Sequence, residues 1–241
     1  MADIYIFKRI EKKYRLTDEK KALLMSRISD RLIPDVHGVS TVCNLYLDTP
    51  SFLLIRNSID AVSYKEKLRI RSYGVPTADS KVFFEIKKKL KGVVYKRRIS
   101  MKRDTALDYV KSGVKPVTGQ IMDEIDWAMR YYENPMPRVA LFYEREAFTV
   151  RDEDALRITF DTGVRYRTDE LCDPHDSRGK TIIPDDVTIM EIKTGGAMPL
   201  WLSHILDEIQ IFPSKFSKYG TAYHDMLSGE PIKNEGVHNH A

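Results

Sequence analysis

The stretch KLRIRSYGVPTADSKVFFEIKKKLKGVVYKRRIS, residues 67–100, sets charged residues in regular alternation with apolar ones. Successive side chains of a β-strand point to opposite faces, so residues of equal parity share a face. Arg69 and Arg71 therefore lie on one face of a strand. Leu68 and Ile70 lie on the other. A Lys-Gly pair before the last segment suits a hairpin turn, so the stretch predicts three antiparallel strands in succession.

Strand patterns of this kind recur along the whole chain. The predicted strands are residues 4–15, 41–48, 65–74, 81–90, 92–101, 138–150, 155–167 and 187–194. Helices are predicted at residues 18–31, from about residue 50, and at 120–132, 198–210 and 215–228. An even number of strands suits a closed barrel, and amphipathic helices can cover its outside.

Nearly every predicted strand has a charged face backed by an apolar one. The charged faces contain Arg9, Glu11 and Lys13; Arg69 and Arg71; Glu85 and Lys87; Lys96 and Arg98; Tyr143 and Arg145; Arg157, Thr159 and Asp161; and Glu191 and Lys193. An antiparallel sheet commonly turns such a face to water. Repetition over so many strands favours convergence of the charged faces inside a barrel instead. The expected fold is therefore mainly β (α+β): an eight-stranded antiparallel barrel that forms a tunnel with a basic interior, flanked by amphipathic helices.

Like charges at such close quarters repel one another, so the tunnel needs carboxylates, water or an anion to offset them. A bound polyanion would remove this repulsion. Inward-facing carboxylates could hold Mg²⁺ or Mn²⁺ through their oxygens, or pair with neighbouring cations. The candidates for this metal site are Glu11, Glu85, Asp161 and Glu191.

The composition of the 241-residue chain is that of a folded protein, with 42% hydrophobic and 31% charged residues. Its net charge of +4 excludes a polycation that coats nucleic acid through bulk charge. No apolar run reaches the roughly 20 residues that span a bilayer, and no signal peptide is recognisable, so we expect a cytoplasmic protein. One domain is expected at residues 1–229, followed by a flexible tail at residues 230–241.

Several common catalytic motifs are missing from the sequence. It contains no P-loop motif, no His-Glu-x-x-His motif and no Cys-x-x-Cys pair. The six histidines are scattered, which gives little support to a phosphohistidine relay. Cys43 and Cys172 lack metal-ligand spacing, so both are expected to be free thiols.

Eight short motifs, in chain order, resemble those of a known family. They are R-I-E-K-K-Y (9–14), N-L-Y-L-D-T-P (44–50), K-L-R-I-R-S-Y (67–73), F-E-I-K-K-K (84–89), Y-E-R (143–145), R-I-T-F-D (157–161), M-E-I-K (190–193) and F-S-K-Y (216–219). Over about residues 5–228 the chain resembles the catalytic domain of the vacuolar transporter chaperone (VTC) polyphosphate polymerases, within the triphosphate tunnel metalloenzyme superfamily.

The resemblance implies a tunnel in which basic residues contact phosphates and Glu191 holds the metal. The residues implied to contact phosphates are Lys13, Arg56, Arg69, Arg71, Lys87, Lys96, Arg145, Arg157 and Lys218, with Tyr143 and Ser217 as secondary contacts; Arg9, Arg98 and Lys193 are further phosphate-binding candidates on the charged faces. Arg9 stands where the hydrolase and cyclase branches have the first glutamate of an E-x-E-x-K signature, which Glu11 and Lys13 otherwise keep. One fewer acidic metal ligand favours the polymerase branch.

The implied activity is transfer of the γ-phosphoryl group of ATP to a growing polyphosphate chain, with Mn²⁺ or Mg²⁺ as cofactor. A triphosphatase that hydrolyses ATP or inorganic triphosphate and a non-catalytic polyphosphate-binding module are the alternatives. Nucleic acid is not an expected ligand, because the aromatic residues mostly lie on the apolar faces. The oligomeric state is left open. So is a separate membrane-protein partner, which would place the protein at the inner face of a membrane.

Overall fold

In the computed structural model, which describes residues 10–60, 62–91, 93–172 and 176–228, helices flank a mainly antiparallel sheet. The strands are β1 Ile10–Thr17, β2 Leu32–Asp48, β3 Tyr64–Tyr73, β4 Lys81–Leu90, β5 Val93–Lys102, β6 Met136–Val150, β7 Glu153–Arg167, β8 Lys180–Thr181 and β9 Val187–Thr194. The helices are α1 Asp18–Ile28, α2 Leu53–Ile59, α3 Arg103–Ser112, α4 Gln120–Tyr131, α5 Leu200–Glu208 and α6 Lys218–Ser228. None of these helices is long and apolar enough to cross a membrane.

Most of the predicted elements are confirmed. The predicted strands at residues 81–90 and 187–194 match β4 and β9 residue for residue. Thr17 caps α1, because its side-chain oxygen accepts a hydrogen bond from the backbone N–H of Lys20 at 3.3 Å. Residues 4–9 of the first predicted strand, Arg9 among them, lie outside the described residues, as does the predicted tail at residues 230–241.

Three elements differ from the prediction, and one of them is the two-residue strand β8, which is not among the predicted strands. β2 begins at Leu32 rather than at residue 41, because its first part also pairs with β6, across a register shift between Pro34 and Val39. This shift interrupts the alternation on which the prediction rests. α3 was not predicted, although its buried residues lie at helical spacing and Gly113 ends it in the left-handed conformation, with φ of 70°.

The sheet is strongly curled. Its strands are hydrogen-bonded in the order β1-β9-β7-β6-β2-β3-β4-β5, with β8 paired to β7. In a flat sheet the spacing of about 4.8 Å between neighbouring strands would place β1 and β4 about 29 Å apart. Instead, Nζ of Lys87 on β4 lies 3.6 Å from the Glu11 carboxylate on β1. The sheet therefore bends into a half-barrel whose end strands approach each other across a shared interior.

Helices cover the outer, apolar face of this half-barrel in two places. α3 and α4 pack on β3 and β4, where Phe84, Ile86, Met122 and Ile125 are fully buried. α1 and α5 pack on β1, β7 and β9 in a second cluster of buried apolar residues. The apolar parity of β1, β3, β4, β7 and β9 therefore faces helices, as the tunnel interpretation requires.

One end of the concave side is closed by a third apolar cluster. At that end, the inner faces of β6 and β9 carry the apolar residues Leu141 and Ile189 instead of charged ones. These two residues pack with Tyr46 and with Tyr219 of α6. α2 contributes Ile55 to the same cluster. α6 therefore lies against the inner face of the sheet, whereas α1, α3, α4 and α5 lie outside it.

Burial distinguishes the two interpretations of the charged faces. The side chains of Glu85, Asp161 and Arg71 are 1%, 0% and 8% exposed, although a charged face turned to water would leave them accessible. The charged faces therefore converge inside the half-barrel. The predicted fold class, a mainly β tunnel with a basic interior, is confirmed.

We expect the burial of a methionine to decide how much its replacement by alanine lowers the free energy of unfolding. Met122→Ala opens space in the fully buried α4 cluster, so it should lower the free energy of unfolding by about 2–5 kcal/mol. Met136→Ala changes a residue that is 45% exposed and should lie within about 0.5 kcal/mol of the parent. Urea unfolding followed by circular dichroism measures both. Equal losses in the two variants would contradict the assigned core.

Candidate functional site

Charged side chains from seven strands and the start of α6 meet in the interior of the half-barrel. They are Glu11 and Lys13 of β1; Lys67, Arg69 and Arg71 of β3; Glu85 and Lys87 of β4; Lys96 and Arg98 of β5; Arg145 of β6; Arg157 and Asp161 of β7; Glu191 and Lys193 of β9; and Lys218 of α6. Basic side chains outnumber carboxylates in this set. The interior is therefore a concentrated positive region inside a chain of nearly balanced net charge.

Glu85 holds the basic side chains of β3 and β5 in one buried cluster. Its Oε2 accepts hydrogen-bond contacts from Nε and Nη2 of Arg69, both at 2.7 Å, and its Oε1 lies 2.6 Å from Nζ of Lys96. Nε of Arg71 lies 4.0 Å from the same carboxylate and donates to Oδ1 of Asn44 at 2.8 Å. Burial raises the pKa of Glu85, but these three cations outweigh it and hold the pKa far below its usual range. We call Glu85, Arg69, Arg71 and Lys96 the Glu85 group.

A second cluster lies on the facing part of the sheet. Asp161, which is fully buried, accepts from Nε and Nη2 of Arg145 at 2.6 and 2.8 Å and from Nζ of Lys218 at 2.5 Å. The basic atoms within 4.0 Å of the Glu191 carboxylate belong to Lys13, Arg145, Lys193 and Lys218, at 3.8, 3.7, 2.8 and 3.6 Å. Burial alone would raise the pKa of Glu191, but these cations keep it well below the usual range. We call this cluster the Glu191 group.

Tyr143 and Glu11 connect the two groups. The Tyr143 hydroxyl accepts a hydrogen bond from Nη2 of Arg71 at 3.3 Å, and Nζ of Lys218 lies 4.6 Å from its ring centre. Glu11 lies 3.2 Å from Nζ of Lys13 and 3.6 Å from Nζ of Lys87. The two groups therefore form one continuous site.

Burial and the excess of positive charge together lower the pKa of two lysines in the site. Burial and the nearby cations hold the pKa of Lys96 at about 7 and that of Lys67 at about 8. Burial raises the pKa of Tyr46, but the charges of Arg69, Lys67 and Arg71 outweigh it and hold the pKa at about 8. Near neutral pH the interior is thus ready to take up protons when an anion enters.

A short segment before α6 completes the site. Lys13 donates from Nζ to the carbonyl oxygen of Phe216 at 3.3 Å, and Lys67 donates to the Ser217 hydroxyl at 3.1 Å. Lys218 then enters the Glu191 group. These contacts place the F-S-K-Y segment beside the tunnel residues, although Ser217 is 150 residues from Lys67 in sequence.

Asp48 fixes the position of this segment. Its carboxylate accepts the Tyr219 hydroxyl at 2.9 Å and the backbone N–H groups of Leu54 and Ile55 at 2.9 and 3.1 Å. The Tyr219 ring also stacks on Tyr46, with 4.4 Å between ring centres. The Asp of the N-L-Y-L-D-T-P motif therefore starts α2 and holds the beginning of α6 at the same time.

The match to a family model settles which family these features belong to. The model of the VTC domain matches residues 8–227, which include every element described above except the last residue of α6. The chain belongs to the VTC domain family. A search of curated proteins gives no match.

Two solved structures share the fold of this VTC domain. One is a protein of Bacillus halodurans assigned provisionally as an adenylate cyclase, with 16% identity, a TM-score of 0.54, and coverage of 87% of this chain and 95% of that chain. The other is a provisionally assigned adenylyl cyclase of Hippeastrum, described as having a dominant triphosphatase activity, with 16% identity, a TM-score of 0.52, and coverage of 94% and 99%. At this identity the likeness shows a common tunnel fold.

The carboxylates of the VTC domain differ in how they could serve a metal. Glu85 and Asp161 are each paired with two close cations, so they neutralise neighbouring basic side chains and are not open to a metal. No three His, Cys, Asp or Glu side chains in the described residues are grouped to hold a metal. Glu11 and Glu191 both lie within 4 Å of Nζ of Lys13, and Mg²⁺ often takes one or two carboxylates together with substrate phosphates. The residues thus fit a divalent cation that binds together with a phosphate ligand.

Some predicted phosphate-binding residues lie at the edge of the site. Arg157 is 43% exposed and pairs with Asp35 at 3.0 Å. The guanidinium of Arg98 lies over the ring of Phe83, at 4.7 Å from its centre. Arg56 is exposed on α2, and no contact within the described residues joins its side chain to the tunnel. Their assigned phosphate contacts remain predictions.

Three residues of the VTC domain site were not singled out from the sequence. Lys67 shares its parity with Arg69 and Arg71, so the alternation contained the signal. Asn44 and Tyr46 belong to a quoted motif, but they were given no role because only the β2–β3 register places them opposite those arginines.

The depressed pKa of Glu11 should make part of the stability depend on pH. Burial raises this pKa, but Lys87, Lys13 and Lys193 outweigh it and lower the pKa to about 2. A carboxyl group with a lowered pKa stabilises the fold above its ordinary pKa, near 4.3, and that stabilisation is lost as the pH falls towards 2. The free energy of unfolding of the parent should exceed that of Glu11→Gln at pH 7, and the difference should shrink between pH 5 and pH 2.

Denaturant unfolding at a series of pH values measures this difference. Glu208→Gln is the matched control, because Glu208 is 62% exposed and lies 3.6 Å from an exposed arginine. Its effect should be small at every pH. A Glu11→Gln difference that stays constant from pH 7 to pH 3 would contradict the assigned pKa.

Proposed function

We propose that this protein is a polyphosphate polymerase that transfers the γ-phosphoryl group of ATP to the end of a polyphosphate chain inside the tunnel. The observation that carries the proposal is the buried excess of arginine and lysine over carboxylate, which faces inward from both halves of the curled sheet. Such an interior suits a linear chain of phosphates. Membership of the VTC domain family supports the same activity.

In the proposed reaction, a terminal oxygen of the polyphosphate chain attacks the γ-phosphorus of ATP. The attack is in line with the bond to the β,γ-bridging oxygen. That bond breaks, the bridging oxygen leaves with ADP, and the chain gains one phosphate. Phosphoryl transfer of this kind depends on positioning and charge neutralisation, so a basic tunnel without a protein nucleophile is sufficient.

The Glu85 group and the Glu191 group would both contribute to positioning the phosphates and neutralising their charge. The guanidinium forks of Arg69, Arg71 and Arg145 can each bind two phosphate oxygens, whereas the lysines act as point charges. Glu191 and Glu11 would hold Mn²⁺ or Mg²⁺ together with the phosphates, and the cation would neutralise charge on the transferred group. Lys218 and Lys13 lie beside these carboxylates and would neutralise the same phosphates.

In the absence of a ligand, the carboxylates are the anionic partners of the two arginines. Arg69 and Arg145 are paired with Glu85 and Asp161, so phosphates add to these cations as further partners. Phosphates would also stabilise the charged forms of Lys67 and Lys96, whose pKa values are lowered by burial and by the neighbouring cations.

A triphosphatase is the second candidate function. The Hippeastrum protein, which shares the fold, is described as having a dominant triphosphatase activity. Hydrolysis would use the same phosphate contacts with water as the attacking group. The two functions therefore differ in the acceptor, and the product distinguishes them.

Incubation with ATP and Mn²⁺ or Mg²⁺ tests the proposal directly. We expect a polyphosphate ladder on a stained gel together with stoichiometric ADP. Glu191→Gln and Arg69→Lys should lower the rate by about 10²-fold or more, because Glu191 would hold the cation and Arg69 would bind phosphate oxygens at two points. Arg27→Ala, an exposed residue of α1, is the matched control and should leave the rate unchanged. Thermal melting verifies that each variant is folded.

The other products have equally clear meanings. Orthophosphate without a polymer would establish the triphosphatase instead of the polymerase. Tripolyphosphate binding without turnover by the parent would reduce the protein to a polyphosphate-binding module. A parent that binds no tripolyphosphate would refute all three functions.

Phosphate binding should be accompanied by proton uptake. An anion raises the pKa of Lys96 from about 7 and that of Lys67 from about 8, so both lysines take up protons on binding at pH 8. Because the protonated lysines bind the anion, affinity for tripolyphosphate should fall as the pH rises from 7 to 9. Calorimetry in buffers of different ionisation enthalpy, with EDTA present, counts the protons.

The ligand also titrates in this range, so the comparison with a variant isolates the lysine. Lys96→Met should take up fewer protons than the parent at pH 8. Equal proton counts in parent and variant would contradict the assigned pKa.

A further inference from the structure

Besides Tyr46 and Tyr143, two more aromatic residues lie on the charged faces of the strands. Tyr73 shares its parity with Arg69 and Arg71 on β3, and Phe83 shares its parity with Glu85 on β4. Both therefore lie on the inner face of the sheet. The β3–β4 register pairs Arg71 with Phe83, so the aromatic pair directly adjoins the Glu85 group.

The two rings form a pair at the end of β3, six residues along that strand from Lys67, which contacts Ser217 before α6. Their centres lie 6.0 Å apart with an angle of 78° between the ring planes, an edge-to-face arrangement. The guanidinium of Arg98 lies over Phe83 at 4.7 Å, and Nζ of Lys81 lies 5.6 Å from the same ring centre. The Phe83 ring is thus braced by neighbours, while Tyr73 remains 51% exposed.

The backbone at Tyr73 is also fixed. β3 ends there, and the chain turns at Gly74, whose φ of 82° is in the left-handed region that favours glycine. The Gly74 N–H donates to the carbonyl oxygen of Thr41 at 2.7 Å, and the Ser72 hydroxyl donates to the carbonyl oxygen of Gly74 at 2.9 Å. Tyr73 is therefore a positioned and accessible ring, unlike a side chain on a free loop.

The distance from the phosphate-binding residues suits a nucleoside. Tyr73 lies two residues beyond Arg71 along the strand, which is about 7 Å. A triphosphate held by Arg71 and Arg69 would extend its ribose towards the open end, and the base would then reach Tyr73. Inorganic polyphosphate has nothing to place on such a surface.

We propose that Tyr73, Phe83 and Arg98 form a stacking platform for the base of a purine nucleoside triphosphate, with the phosphates directed inward to Arg71 and Arg69. This site rests on the proposed function, because it assumes that the Glu85 group binds the triphosphate of the donor. Stacking on a ring or a guanidinium plane depends on the area of the base and not on the hydrogen-bonding groups at its edge. The platform therefore favours purines over pyrimidines and discriminates little between adenine and guanine.

The platform also orients the donor. With the base at the open end, the γ-phosphate is the innermost of the three and lies nearest the Glu191 group. That placement leaves the Glu191 group to bind the acceptor end of the polyphosphate chain.

Comparing ATP with tripolyphosphate separates the base from the phosphates. We would measure both affinities by calorimetry with EDTA present, so that no turnover occurs. Tyr73→Ala should weaken ATP binding about 5- to 100-fold and leave tripolyphosphate binding unchanged, while Tyr73→Trp should retain ATP affinity. Tyr95→Ala is the matched control, because Tyr95 lies on the opposite parity of neighbouring β5 and is 40% exposed.

A second measurement does not depend on the variant folding. In the parent, the base protons of ATP should shift upfield on binding because of the aromatic ring current, and CTP should bind more weakly than ATP or GTP. The platform is refuted if Tyr73→Ala weakens both ligands equally, or if it leaves ATP binding unchanged. In those cases tripolyphosphate binding by the parent persists. A parent that binds no tripolyphosphate would instead refute the phosphate site on which the proposed function rests.

Discussion

The structure depends on the pairing of buried carboxylates with buried guanidinium groups inside a curled sheet. Taking an ion out of water costs several kcal/mol, and only a close, hydrogen-bonded partner offsets that cost. Glu85 provides the partner for Arg69, and Asp161 provides it for Arg145. Without these pairs the charged faces of the strands could not be buried together inside the half-barrel. The apolar faces would then not be the only faces covered by helices.

The same pairs leave a surplus of positive charge that the protein does not neutralise. Burial and this surplus together lower the pKa values of Lys67 and Lys96. A fold selected for stability alone would replace such lysines with apolar residues. Their presence in the interior is what the proposed binding of a phosphate chain would explain.

The site is also a product of long-range contacts. Its strands enclose the charges, but Ser217 and Lys218 enter from the C-terminal part of the chain and are held there by Tyr219 on Asp48. Asp48 in turn organises the first turn of α2 through its backbone contacts. Folding of the two helices and assembly of the site are therefore coupled. Loss of the Asp48 contact would displace Lys218 in the Glu191 group, although Asp48 itself is not among the residues proposed to bind phosphate.

The sequence by itself determined the strands and the identity of most tunnel residues, because a period of two is a local property of the chain. It assigned Arg69, Arg71, Glu85, Arg145 and Glu191 to charged faces without reference to any other strand. It did not determine which face is buried, since curling of the sheet depends on pairing between distant strands. Only the tertiary structure joined Glu11 to Lys87, placed Lys218 on Asp161, and revealed Tyr73 and Phe83 beside Arg71. Those contacts depend on register and curvature, which are properties of the assembled sheet and of no single segment.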